Sequence, residues 1–92
     1  TEIMPETYGL ANAYPNPFNP TTTISFQVPY ESNVVLNVYD ISGRQIRQLA
    51  NNYYSPGYHS VKWDASDVSS GVYFVKMNAG SYSESQKLML IK

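Results

Sequence analysis

The sequence contains no cysteine and only one histidine among its 92 residues. The first absence removes disulfides, thiolate nucleophiles and cysteine-based zinc sites together. The second leaves a nucleophilic triad a single candidate base, His59, in the middle of an alternating segment with no partners in the pattern. Charge is scarce as well: six basic and seven acidic side chains leave a net charge of −1. With no basic stripe to neutralise phosphates and no interleaved basic and aromatic run, nucleic acid is not an expected partner. No apolar stretch approaches the roughly 20 residues that span a bilayer, and no cleavable amino-terminal signal is visible. No segment repeats apolar residues at i, i+3, i+4 and i+7 over three turns, so a helical alternative has little support. The chain opens on Thr1 and is expected to be a fragment of a longer precursor whose export signal lies elsewhere.

What remains is period-two alternation. Ile24, Phe26 and Val28 face one way and Thr23, Ser25 and Gln27 the other until Pro29, which reads as a half-buried strand. Val34, Leu36 and Val38 repeat the pattern against Val35, Asn37 and Tyr39. Asp40-Ile41-Ser42-Gly43-Arg44 follows, with Asp at a turn start and Gly43 where positive φ is needed. It predicts a type I turn with a bulge and a return strand through Gln45–Leu49. Asn51–Gly57 reads as a polar connection containing Tyr53 and Tyr54. Another strand sets His59, Val61 and Trp63 against Tyr58, Ser60 and Lys62. A loop over Asp64–Gly71, a strand from Val72 to Met77 and a last strand ending Lys87–Lys92 complete the pass. The expected architecture is one all-β domain, an immunoglobulin-like β-sandwich of about seven antiparallel strands. Residues 1–12 are expected to be a linker from an upstream domain, and residues 13–92 the sandwich.

Two features do not follow from alternation. Tyr14-Pro15-Asn16-Pro17-Phe18-Asn19-Pro20 carries three prolines in six residues, which is read as ruling out helix and ladder pairing alike. It is expected to be an ordered turn or extended edge with Tyr14 and Phe18 inserted as anchors. Nine tyrosines supply ring area with polar tips. That leaves open a carbohydrate-binding or adhesive accessory domain, against packing roles for Tyr39 and Tyr73 in strands. Asp64 and Asp67 beside Trp63, two carboxylates three apart with no third acid nearby, are weak evidence for a calcium loop and are expected instead to cap turns. No metal, cofactor or catalytic residue is assigned, and the chain is read as non-catalytic.

Three stretches together resemble the carboxy-terminal sorting domains of proteins exported by the type IX secretion system. They are Tyr14–Thr22 leading to Ile24-Ser25-Phe26; Val34, Leu36, Val38–Ile41 and Gly43-Arg44; and Gly57, His59, Trp63-Asp64 with Ser70–Phe74 and the basic-apolar ending. Ala13 departs from the asparagine frequent before Tyr14. The family resembles immunoglobulin-like sandwiches and the β-domain of flagellar hook-capping proteins. The resemblance implies a non-catalytic address label behind an upstream cargo domain. An outer-membrane translocon would read it after export to the periplasm, and a sortase-like surface peptidase would remove it in the linker before Tyr14. The destination implied is the cell surface or the medium. Gly71, Tyr73, Lys87, Leu88, Leu90, Ile91 and Lys92 match the elements implied to carry the signal, with strand addition to the terminal strand as the expected mode. The alternative for Leu88, Leu90 and Lys92 is core filling and a solvated end.

Overall fold

The structure, a computed structural model, describes residues 5–92; the first four residues of the expected linker lie outside them. Seven strands form two sheets: β1 (Gly9–Leu10), β2 (Thr21–Val28), β3 (Ser32–Asp40), β4 (Gln45–Tyr54), β5 (Gly57–Asp64), β6 (Gly71–Ala79) and β7 (Tyr82–Leu90). One sheet has the order β1-β2-β5 and the other β4-β3-β6-β7, all paired antiparallel. The all-β sandwich read from the alternation is what is found.

The alternation sets which face is buried. Ile24, Phe26 and Val28 meet Val34, Leu36, Val38, Val75, Met77 and Leu88 between the sheets, each at most 2% exposed. Fully burying such a side chain is worth about 1.5–3 kcal/mol, so a one-residue register slip in β2 or β3 would forfeit several of these at once.

The β3–β4 hairpin turns as its residues predict. The Gly43 amide donates to the Asp40 carbonyl at 2.9 Å, the Asp40 amide donates to Arg44 O at 2.9 Å, and Gly43 has φ +88°, where a side chain would be strained. Asp40 Oδ1 accepts from Ser42 Oγ at 2.7 Å and from the Ser42 and Arg44 amides at 3.0 Å, while Oδ2 meets the Arg44 guanidinium at 3.1 Å. The Ser42 hydroxyl, then the Arg44 amide, hold the Asp40 carboxyl below its ordinary 3.8. A carboxyl depressed in the fold adds stability that is present above its unfolded value and lost as pH falls through the folded one. Asp40→Asn is therefore expected to be less stable than the parent at neutral pH, with the gap closing below pH 3.8; urea titrations at a series of pH values check this. A gap that persists unchanged in acid would assign the effect to packing instead.

Three expectations need correction. β4 continues through Tyr54, so Asn51–Tyr54 is strand rather than connection: at this end of the edge strand Asn51, Asn52 and Tyr53 are all exposed, so polar residues carry no penalty on either face. Tyr54 instead packs edge-on to Phe26, with ring centroids 4.9 Å apart. Asp67 caps no loop amide through its side chain but pairs with the Arg47 guanidinium, whose hydrogen bond lowers its pKa. Asp64 does cap, accepting from the Ser66 amide at 3.0 Å. Finally, the stretch expected as linker contributes to the sheet: Gly9 and Leu10 pair with Gln27 and Phe26. Tyr8 stacks on Tyr82 at 5.4 Å and meets Tyr30 edge-on at 5.8 Å.

Candidate functional site

The proline-rich stretch is a strap that crosses from one sheet to the other. Tyr14 exchanges backbone hydrogen bonds with Thr23 of β2 at 3.1 and 3.0 Å, and the Thr22 hydroxyl donates to Pro15 O at 2.7 Å. Two residues later the chain has reached β7. Asn16 Nδ2 donates to Lys87 O at 3.0 Å and its Oδ1 accepts from the Met89 amide at 3.0 Å, so the side-chain carboxamide occupies the place of a peptide group in a neighbouring strand. The backbone then takes over: Phe18 N donates to Met89 O and Ile91 N to Phe18 O, both at 2.9 Å. Phe18 and Leu90 form a parallel bridge, so the prolines restrict ladder pairing to single bridges without excluding it. Upstream, Gln86 accepts from the Ala13 amide and donates to Asn12 Oδ1. At the strap's far end, Pro20 O accepts from the Ala65 amide at 2.8 Å.

The strap is fastened by one ring. Phe18, 2% exposed, packs 5.5 Å from Trp63 of β5, which in turn meets Tyr73 of β6 edge-on at 5.5 Å. Tyr14 remains 80% exposed, so Phe18 alone anchors, and Tyr14 is held through its backbone bonds. Tyr73 Oη donates to Ser69 O at 2.5 Å, holding the β5–β6 loop. Gly71 opens β6 at φ +154° with nothing near the place a Cβ would take, so its requirement is conformational. Past β7, the Lys92 amide donates to Ser70 Oγ at 3.0 Å, and its ammonium donates to Ser66 O at 2.8 Å and to Val68 O. The proline motif, Trp63-Asp64, the Gly71–Tyr73 element and the basic-apolar ending, dispersed in the sequence, thus meet at one end of the sandwich around β7.

A secretion system C-terminal sorting domain model matches residues 12–92. The chain belongs to that family. Its members are non-catalytic type IX sorting signals, and this sorting domain marks an exported protein for the cell surface or for release. Two solved structures from Porphyromonas gingivalis are similar. One is PorZ, described as an essential bacterial surface component of the type IX secretion system, with 25% identity over 91% of this chain and a TM-score of 0.67. The other is dimeric latent PorU, with 21% identity over 97% of this chain and a TM-score of 0.70; that likeness shows the fold alone. The sorting domain spans 12% and 10% of those chains. No curated protein matches it.

Within the sorting domain, the residues expected to carry the signal, apart from Gly71 at the start of β6, divide into three groups. Leu88 and Leu90 lie in the core with Tyr73, at most 6% exposed, and present nothing to a partner while the domain is folded. Lys92 is an exposed clasp on the β5–β6 loop rather than a free solvated end. Lys87 and Ile91 are exposed, with Met89 between them. Strand addition over Lys87–Ile91 meets an occupied edge, because the strap already takes Lys87 O, both backbone groups of Met89 and the Ile91 amide.

Pro17 and Asn19 are exposed positions on the outside of the strap. His59 sits on β5, an edge strand, its Nε2 2.7 Å from Ser55 O and its ring against Phe26 and Tyr54. That is a packing role. The four most exposed tyrosines do not share one face. Tyr53 and Tyr58 lie on outward positions of opposite sheets, Tyr14 on the strap and Tyr30 at the β2–β3 turn. Sequence reasoning missed Asn16 as a β7 contact; its partners are 71 and 73 positions away, and no local pattern reports such a pairing.

Proposed function

We propose that this sorting domain rides behind a cargo domain of the same precursor, that the type IX outer-membrane translocon takes the precursor from the periplasm, and that a surface peptidase then detaches the domain. The observation that supports this reading is the convergence of the family's dispersed elements on one strand. The strap, the Phe18–Trp63–Tyr73 cluster and the Lys92 clasp all act to present β7 in a fixed conformation. A signal built this way is a folded surface, not an unfolded tail.

The cut falls upstream of Tyr8 in this reading. From Tyr8 onward the chain is held by ring packing and by pairing of β1, and a protease needs an extended, unpaired substrate. The test is a reporter fusion: signal peptide, fluorescent protein, then residues 1–92, in a host that exports a reporter fused to one of its own sorting domains. Reporter on the surface or in the medium only when the domain is attached supports the reading, as does a detached domain whose first residue is Tyr8 or earlier. An exported fraction equal with and without the domain overturns it. Deleting residues 87–92 is a poor control, since it removes Leu88 and Leu90 from the core and would test folding.

A further inference from the structure

With the backbone edge of β7 closed over Lys87–Ile91, what remains readable of the terminal strand is its outward side-chain face. The register assigns that face. On the outer surface of the four-stranded sheet Val72 lies beside Met89, Tyr39 beside Phe74 beside Lys87, and Asn37 beside Lys76 beside Ser85. Ile91 follows Met89 by two residues, beyond the end of β7. Phe74, Met89 and Ile91 are 36%, 39% and 52% exposed, so three large apolar side chains from adjoining positions share one end of the sheet. Ile41, exposed on the β3–β4 turn, lies at the same end of the sheet across Gly71 and Val72, while the remaining exposed apolar residues stand on the strap, the β2–β3 turn or the far ends of edge strands.

The charges of this face have one sign. Lys76 and Lys87 border the apolar group, and no carboxylate occupies an outward position of β3, β4, β6 or β7. A second copy docked face to face would set lysine against lysine with nothing to neutralise them, which disfavours self-association here. The complement is a surface with apolar side chains at its centre and carboxylates at its rim.

We propose that the outward face formed by Phe74, Met89 and Ile91, framed by Lys76 and Lys87, is where the secretion machinery reads the terminal strand, and that its occupant is a protein surface of that acidic-rimmed apolar kind. This rests on the sorting reading above and specifies how it works: side chains are read and the edge is not.

The experiment uses the same reporter fusion with two paired changes, Met89→Ser with Ile91→Ser, and Lys76→Glu with Lys87→Glu. All four positions point away from the core, and circular dichroism melts of the purified domains verify that each pair stays folded. Tyr58→Ser, at an exposed outward position on β5 of the other sheet, is the comparator, and Asn16→Ala opens the edge without replacing a side chain of the face. The expected result is a fall in exported reporter of about tenfold or more for both paired variants, as for loss of central anchors and reversal of complementary charge. Tyr58→Ser should be exported within about twofold of the parent, since mutations outside the energetic centre of an interface change little. Parent fusion exported and both paired variants exported equally well overturns the face while leaving the sorting role intact. Failure of the parent itself removes the sorting role and the face with it. Asn16→Ala exported better than the parent, with the paired variants unaffected, shows strand addition and overturns the proposal. Sedimentation giving a dimer that Met89→Ser with Ile91→Ser abolishes assigns the face to a second copy and also overturns it.

Discussion

Replacing Trp63 with alanine is expected to cost the domain about 3–5 kcal/mol, the range for truncating a large buried aromatic. Trp63 is 2% exposed and touches Phe18 of the strap on one side and Tyr73 of β6 on the other. Its removal leaves a cavity between three elements that have little else in common. A domain of this size has a total stability of about 5–15 kcal/mol, so the variant loses a large part of it. At roughly 4–8 °C per kcal/mol, the melting temperature should fall on the order of 15–30 °C. Trp63→Phe separates the contributions. The indole Nε1 has no hydrogen-bond partner among the described residues, so phenylalanine gives up ring area without orphaning a polar group. It should recover more than half of the loss. Because Trp63 is the only tryptophan, its substitution removes the fluorescence probe, and urea unfolding followed by circular dichroism is the measurement. A loss under about 1 kcal/mol for Trp63→Ala would mean that the strap is held by its hydrogen bonds and not by the aromatic cluster.

The parts of the fold that the sequence made legible are those whose physics is local. Strict alternation in β2 and β3 announced buried strands because each has one face on the core. Asp40 and Gly43 announced the hairpin because the turn bonds fall within five residues. The far half of β4 was not legible, since an edge strand with polar residues on both faces carries no period-two signal. β1 is two residues long, and what ties it down is Leu10 in the core and Tyr8 between two rings from elsewhere in the chain. The same division holds at the site. Phe18 and Trp63 could be picked as buried aromatics, and the family resemblance pointed to the end of the chain where the dispersed elements meet. That Leu88 and Leu90 face the core while Lys87, Met89 and Ile91 face out depends on which side of β7 the other sheet lies, which alternation leaves undecided. That the edge is occupied depends on Asn16, and an asparagine between two prolines reads locally as a turn residue.

Asn16→Ala is expected to open that edge. The substitution removes two hydrogen bonds to backbone, each worth about 0.5–1.5 kcal/mol, and should destabilise the domain by about 1–2 kcal/mol in urea unfolding. Hydrogen exchange gives the sharper result. The Met89 amide donates to Asn16 Oδ1 and should lose protection, while the Ile91 amide donates to Phe18 O and should keep it. Asn16→Asp tests the geometry. It retains an acceptor for the Met89 amide but sets a carboxylate oxygen against Lys87 O where Nδ2 had donated. Met89 should stay protected while stability still falls. An unpaired edge offers its backbone groups to any other strand, so Asn16→Ala should also sediment as a concentration-dependent mixture where the parent does not. If Met89 exchanges no faster in Asn16→Ala, the backbone of Phe18 closes the edge unaided. The carboxamide would then be a spectator, and the motif would have to be explained by its prolines and its phenylalanine alone.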